Sequence, residues 1–327
     1  MTHPIEKTLA VLHDVMAAHH DALKPRAGDR ALPPVVLPAD RRSSLVLRLL
    51  HSIERHAGIE VGQTVAEKLN QRLKTLSLAD LDAAVARLDQ LPPDDPEWQA
   101  LVECLTVHET YLMRNPAQMA LIAAQLPALL KRSAGAGRRR LRLWSVGCAT
   151  GEEAYSLAVL ALEALVAAGE AEETPQGIAC RAPWQIEVVG ADISESALVA
   201  ARRGVYATGP LSSFRSLAPE LLRFFPPGPV AQTRQVREDI RATVRFERFN
   251  LVRDPPPGEG YDLVACRNVL IYLSTGARVR ALDTLRRAVR PGGYLLLGAT
   301  DDLSDSRAFE TVWGEGAVIY RCRGSHD

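Results

Sequence analysis

The chain has 327 residues, with 39 basic and 39 acidic side chains, a balance that excludes bulk electrostatic binding to nucleic acid or an anionic membrane surface and leaves charge-based recognition to local groups. That length exceeds one compact core and predicts two domains. Five cysteines (Cys104, Cys148, Cys180, Cys266 and Cys322) stand far apart, with no CxxC pair and no Cys/His spacing of a metal site, as suits a reducing compartment.

The first 20 residues lack a basic-then-apolar leader, and no apolar run approaches the ~20 residues that span a bilayer; a soluble cytoplasmic protein without membrane insertion is expected. His19 and His20 are adjacent but sit in a polar leader, so no metal is expected there. The proline-rich "RAGDRALPPVVLPADRR" completes a flexible arm over residues 1–42. From Ser43, Leu45, Leu49, Leu50 and Ile53 share one helical face, and Gly58 is placed to cap it. Thr64 with Glu67 and Ser77 with Asp80 have capping-box spacing and predict two more helices. A further helical pattern runs through Leu101 and Leu105 into "TVHETYLMRNP", broken by Pro116, so residues 43–115 read as a helical domain with a connector.

Residues 116–327 form the second predicted domain. After the helix "AQMALIAAQLPALLKR", apolar strands "LRLWSVG", "IEVVGAD", "TVRFERF", "YDLVACRN" and "YLLLGAT" alternate with helical runs, which predicts an α/β, doubly wound parallel sheet. "GAVIYRC", after the turn-like "WGEG", reads as a last strand reversed by a hairpin, the feature that separates the methyltransferase variant of the Rossmann-like fold from the plain dinucleotide fold. "AAGEAEETPQGIACRAPW" reads as an acidic surface excursion, and residues 205–243 are long enough to form a small inserted subdomain.

The loop "GCATGEE" between the first strand and its helix has Gly147 and Gly151 spaced G-x-x-x-G, not the G-x-G-x-x-G of a dinucleotide site. Glu152 and Glu153 would repel a diphosphate and attract a ligand carrying an amino group and a sulfonium, which points to S-adenosylmethionine; as first-turn acids they would equally favour the helix dipole. Asp192, at the carboxyl end of the next strand, is placed to accept hydrogen bonds from ribose hydroxyls or to cap the following helix. Asn250 and Leu251 offer a polar contact and an apolar wall for adenine, with a turn residue as the plainer reading of Asn250. Arg267, Asn268 and Tyr272 lie just beyond a buried strand, where open α/β sheets bind ligands. Cys148 and Cys266 read as buried small hydrophobes. Arg138, Arg139 and Arg140 read as a solvated loop face, with an acidic partner as the alternative.

Together, in order and spacing, "GIEVGQTVAEKLNQRL", "TVHETYLMRNP", "WSVGCATGEEAYSLA", "GADISESALVAARRGVY", "VRFERFNLV" and "YDLVACRNVLIYL" resemble the CheR-type chemotaxis receptor methyltransferases over residues 43–322. The resemblance implies S-adenosylmethionine-dependent O-methylation of glutamate side chains, S-adenosylhomocysteine as product, a chemoreceptor-like or other signalling protein as substrate, a monomeric state and a small antiparallel β-subdomain near 205–243 that docks the partner. It further implies that His108, Thr110, Arg114, Gly147, Glu153, Asp192, Asn250, Leu251, Asn268 and Val269 bind the cofactor, and that Arg114 and Tyr272 serve the reaction centre. Arg114 in a connector salt bridge and Tyr272 as a buried aromatic are the plainer readings of those two side chains. The chain departs from the pattern at His108, which stands for asparagine, at Leu112 and Met113 for aromatics, and at Ala154 for proline. A catalytically impaired module binding S-adenosylmethionine or S-adenosylhomocysteine and acting through partner contacts is the alternative these departures raise.

Overall fold

The computed structural model describes residues 35–323, apart from 104, 105, 107, 300, 302 and 304–306. Most of the expected arm, with His19 and His20, lies outside the described residues, as do Cys104 and Leu105. The chain groups into two compact units, Met1–Val107 with Leu270–Leu282, and His108–Val269 with Asp283–Asp327.

In the first unit, helix α1 (Arg41–Ala57) starts two residues before the expected Ser43 because Asp40 caps it, accepting from the Ser43 N–H at 2.8 Å; the Gly58 N–H closes it on the Glu54 carbonyl. Helix α2 (Gln63–Arg72) begins at Gly62 without a side-chain cap, so Thr64 is not the cap its spacing suggested. Helix α3 (Leu78–Gln90) does use Ser77, whose hydroxyl accepts from the Asp80 N–H at 3.1 Å. Helix α4 (Pro96–Glu103) stops short of the connector. Val46, Leu49, Ile53, Leu69, Leu73, Leu81, Val85, Leu88 and Trp98 are buried, and the Trp98 indole N–H is satisfied by the Leu88 carbonyl at 2.9 Å. A 3-10 turn, Leu270–Tyr272, is stitched to the exit of α1: the Glu60 N–H donates to the Tyr272 carbonyl at 2.9 Å, and the Ser274 N–H to the Gly58 carbonyl at 2.9 Å.

The second unit opens with the extended connector and helix α5 (Pro116–Gly135). Pro116 does not break a helix; it starts one, because the first helical turn needs no proline N–H and the fixed φ suits it. There follow β1 (Arg140–Val146), α6 (Glu152–Ala167), β2 (Ala171–Thr174), β3 (Gly177–Cys180), β4 (Gln185–Asp192), α7 (Glu195–Arg203), β5 (Val205–Ala207), β6 (Thr233–Gln235), α8 (Glu238–Arg241), β7 (Val244–Arg248), β8 (Tyr261–Cys266), α9 (Thr275–Ala288), whose residues as far as Leu282 belong to the first unit, β9 (Val289–Leu297), β10 (Phe309–Gly314) and β11 (Ala317–Cys322). Seven of these strands form one sheet in the order β7-β4-β1-β8-β9-β11-β10. The first five run parallel, while β11 is antiparallel to β9 and to β10, so the expected reversed last strand is present. Alternating residues Leu141, Leu143, Leu263, Ala265 and Leu296 pack with Ile122, Leu126 and Leu129 of α5 and with Leu157, Leu162 and Leu165 of α6. On the opposite face Trp144 meets the rings of Phe249 and Tyr261 at 5.2 and 5.4 Å.

Two connections differ from expectation in detail. The acidic excursion is a β2–β3 hairpin, held by the Ile178 N–H donating to Asp239 at 2.7 Å, with Ala171 and Ile178 buried. The inserted segment is an antiparallel subdomain only in its short β5–β6 pair; a 3-10 helix, Pro219–Phe224, and α8 supply the rest, anchored by buried Phe224, Phe225 and Ile240. Among the described residues no helix is long and apolar enough to cross a membrane, and no cluster of three or more His, Cys, Asp or Glu could hold a metal ion.

Candidate active site

Strand order reverses at β1, between β4 on one side and β8 on the other, so the loops leaving β1 and β8 flank a switch-point crevice at the carboxyl ends of the strands. The β1 loop turns at Gly147, whose φ of +68° favours glycine. Gly147 and Cys148 N–H groups donate to the Ala191 carbonyl at 2.8 and 3.1 Å, tying the loop to β4. A Cβ on Gly147 would stand 2.3 Å from Val269 Cγ2, so the β1 and β8 loops touch where only glycine fits. Gly147→Ala is expected to cost ~1–3 kcal/mol from left-handed strain and overlap. Adding Val269→Ala should recover part of that loss in urea unfolding; a double variant no more stable than Gly147→Ala would remove Val269 from the account.

Asp192, 7% exposed at the end of β4, turns both carboxylate oxygens to the loops: Oδ2 accepts from the Ala149 N–H at 2.8 Å and Oδ1 from the Ser194 N–H at 2.9 Å. Burial raises its pKa, opposed by those two N–H groups and by the nearby His108. Ser194 rather than Asp192 caps α7, accepting from the Ala197 N–H at 3.1 Å. Asn250 Oδ1 accepts from the Val252 N–H at 3.0 Å, the turn role that was its plainer reading, and Leu251 beside it is buried. Asn268 takes the left-handed region at φ +58°, and its Oδ1 is buried without a hydrogen-bond partner among the described residues. A buried acceptor of this kind calls for a donor, and none of the described residues supplies one.

The two glutamates of the α6 first turn have different surroundings. Glu153 accepts from Ser145 Oγ at 2.7 Å and forms an ion pair with Arg267 at 3.1 Å, the two side chains 12% and 2% exposed. Its charge is therefore met from within the protein, and the attraction of this loop for a cation rests mainly on Glu152. Glu152, 2% exposed, accepts from Ser213 Oγ at 2.7 Å and Thr150 Oγ1 at 2.6 Å. Burial raises its pKa against those hydroxyl bonds. A carboxyl with a raised folded-state pKa contributes stability below its unfolded value and loses it as pH rises through the folded value. Glu152→Gln is thus expected to flatten the fall in melting temperature as pH rises above the ordinary carboxylate range; parallel profiles for the two proteins would contradict a burial penalty.

Arg267 is the residue whose role sequence reasoning missed, although its place beyond β8 was legible. Only 5% exposed, it donates to Gln118 Oε1 at 2.9 Å and to the Arg114 carbonyl as well as pairing with Glu153. Burial lowers its pKa, with Glu153 opposing and the Arg114 cation adding to the shift. The available signal was charge balance: a glutamate in a helix turn facing a buried strand end calls for a cation, and "CRN" offers one. The connector is fixed from the other side by the Leu112 N–H on the Ser213 carbonyl and the Met113 N–H on Ser156 Oγ, both at 2.9 Å. Leu112 and Met113 are buried and Met113 adopts φ +56°. Arg114 donates to the Glu109 carbonyl at 2.6 Å, which keeps its guanidinium within the connector, although no carboxylate holds it there among the described residues. Thr110 is half-buried on the same stretch of chain.

The structure thus gathers His108, Gly147, Asp192, Asn268 and Val269 about the loop crevice, with Glu153 and Arg114 joined through Arg267. Tyr272 belongs to the first unit, on the 3-10 turn described there. Cys148 and Cys266 are buried, and burial together with Asp192, Glu153 and Glu152 pushes the Cys148 thiol well up, which disfavours a thiolate nucleophile.

The family profile described as CheR methyltransferase, SAM binding domain, matches residues 108–317. Chemotaxis protein methyltransferase 1 of Pseudomonas aeruginosa is 32% identical over 281 residues, covering 83% of this chain and 95% of that protein. Chemotaxis protein methyltransferase 2 of the same organism is 32% identical, covering 79% of this chain and 84% of its own length. A third relative there, named "Probable biofilm formation methyltransferase WspC", is 35% identical over 78% of this chain and 55% of its own length.

Proposed function

The chain belongs to the CheR methyltransferase family, and from that premise we propose that it methylates glutamate side chains of a receptor-like signalling protein in the cytoplasm. S-adenosylmethionine is the cofactor of the family domain the chain carries. The site suits it: Gly147 carries no side chain of its own where Val269 closes on the loop, and buried Asn268 Oδ1, without a partner among the described residues, suits a donor such as an adenine amino group. When bound, the cofactor supplies a methyl group activated by its sulfonium.

The protein's own residues have two tasks. Gly147, Asp192, Asn250, Leu251, Asn268 and Val269 bind and orient the cofactor, with His108, Thr110 and Glu153 at its periphery. Arg114 aligns the incoming carboxylate. A glutamate is already ionised at neutral pH, so no general base is needed and in-line placement is the main requirement. The observation that carries this reading is the connector: Met113 on Ser156 and Arg267 on the Arg114 carbonyl fasten a carboxylate-binding guanidinium to the cofactor loop's own helix and neighbour strand. The inserted segment 205–243 is the part proposed to select the protein partner.

Incubating the full chain with methyl-labelled S-adenosylmethionine and the receptor fraction of its host tests the proposal. Base-labile label on a receptor-sized protein is the expected result. Tight cofactor binding with no transfer to any protein would overturn it.

A further inference from the structure

We propose that the amino-terminal edge of the parallel sheet holds a second ligand site, built for a compact oligophosphate. The arginines of the 138–140 run have separate fates. Arg139, at φ +45°, pairs with Glu170 at 3.5 Å. Arg138 and Arg140 instead line a cavity of about 330 Å³ together with Arg142, Arg290, Gly260 and Asp262.

Four arginines and one carboxylate line the cavity, and that carboxylate is committed. Asp262, 3% exposed, accepts from the Arg142 backbone N–H at 2.7 Å through Oδ2 and pairs with Arg290 through Oδ1. Behind the lining, Glu187 is shared by Arg140, Arg142 and Arg245, the last two at 2.9 and 3.4 Å. Arg138 makes no ion pair among the described residues. Arg290 is depressed first by burial and further by Arg138 and Arg132, with Asp262 acting against both. Cations gathered this closely around a concavity repel one another until an anion joins them.

Geometry selects the class of anion. Guanidinium forks match phosphate oxygens two at a time. At ~30 Å³ per water molecule the cavity holds about ten waters, more than one phosphate fills and near the lower end of small-ligand sites. A short phosphate chain, free or carried by a nucleotide, supplies negative charge where four arginines outnumber the two carboxylates, Asp262 and Glu187, that pair with them. The length of β1 separates Arg140 from the Gly147 loop by roughly 20 Å, so this ligand and S-adenosylmethionine would not compete.

Calorimetry on the full chain with tripolyphosphate, ATP, inorganic phosphate and citrate, at matched ionic strength, tests the site. Tripolyphosphate is expected to bind in the micromolar range, at least tenfold tighter than inorganic phosphate or citrate and unaffected by saturating S-adenosylmethionine. ATP matching it would identify a nucleotide as the source; tripolyphosphate alone would identify a free chain. Arg138→Ala with Arg140→Ala, both exposed and costing little stability, should weaken binding about tenfold or more. No binding of either oligophosphate, equal binding of citrate, or unchanged affinity in the double variant would overturn the proposal.

Discussion

Arg267→Met is expected to destabilise the second unit by about 3–5 kcal/mol, the cost of leaving one member of a buried ion pair alone. The size follows from what Arg267 holds: Glu153 at 3.1 Å, Gln118 at 2.9 Å and the Arg114 carbonyl, with its own side chain 2% exposed. Combining it with Glu153→Gln removes the stranded charge and should recover about half of the loss, the bonds to Gln118 and Arg114 remaining broken. Urea unfolding of the two single variants and the double variant gives the coupling directly. A double variant as unstable as the sum of its singles would mean that the two charges do not stabilise one another.

Arg114→Ala should lower kcat/KM for the protein substrate by roughly 10- to 100-fold, the worth of a charge-assisted hydrogen-bond pair. The split between constants matters more than the total. A carboxylate loses charge as it attacks a sulfonium-bound methyl, so a guanidinium binds the ground state at least as well as the transition state. Arg114 therefore acts by alignment, and its loss is expected to raise KM and, through misplacement, to lower kcat as well. Arg114→Lys keeps the charge without the fork and should recover KM more than kcat. Initial rates over a range of partner concentrations separate the two; an unchanged kcat/KM in Arg114→Ala would remove the side chain from the reaction centre.

Both predictions rest on the region where sequence and structure agree least simply. The strands were legible because each is a short apolar run at an expected spacing, and the reversed last strand because "WGEG" forces a hairpin. Capping was legible at Ser77 and Gly58 but misleading at Thr64, since the same residue pattern fits a cap or the first helical turn and the preceding chain decides between them. Pro116 was read as a stop when it is a start, because proline's missing N–H suits both. In the site, the acidic loop was legible but its charge balance was not. Glu153 meets Arg267 from 114 residues away, a separation that no local pattern encodes.

The sequence by itself determined the class of sheet, the glycine loop, the acidic first turn of its helix and the resemblance to CheR enzymes, because local periodicity, turn chemistry and ordered motifs all act over short stretches of chain. Tertiary structure alone decided which charges remain available to a ligand. It neutralises Glu153 with Arg267, leaves Asn268 Oδ1 without a partner among the described residues, and divides one run of three arginines between a salt bridge and a cavity. The physical reason is that hydrogen bonding, burial and ion pairing depend on distance in space, and the partners that settle them here arrive on strands far apart in the chain.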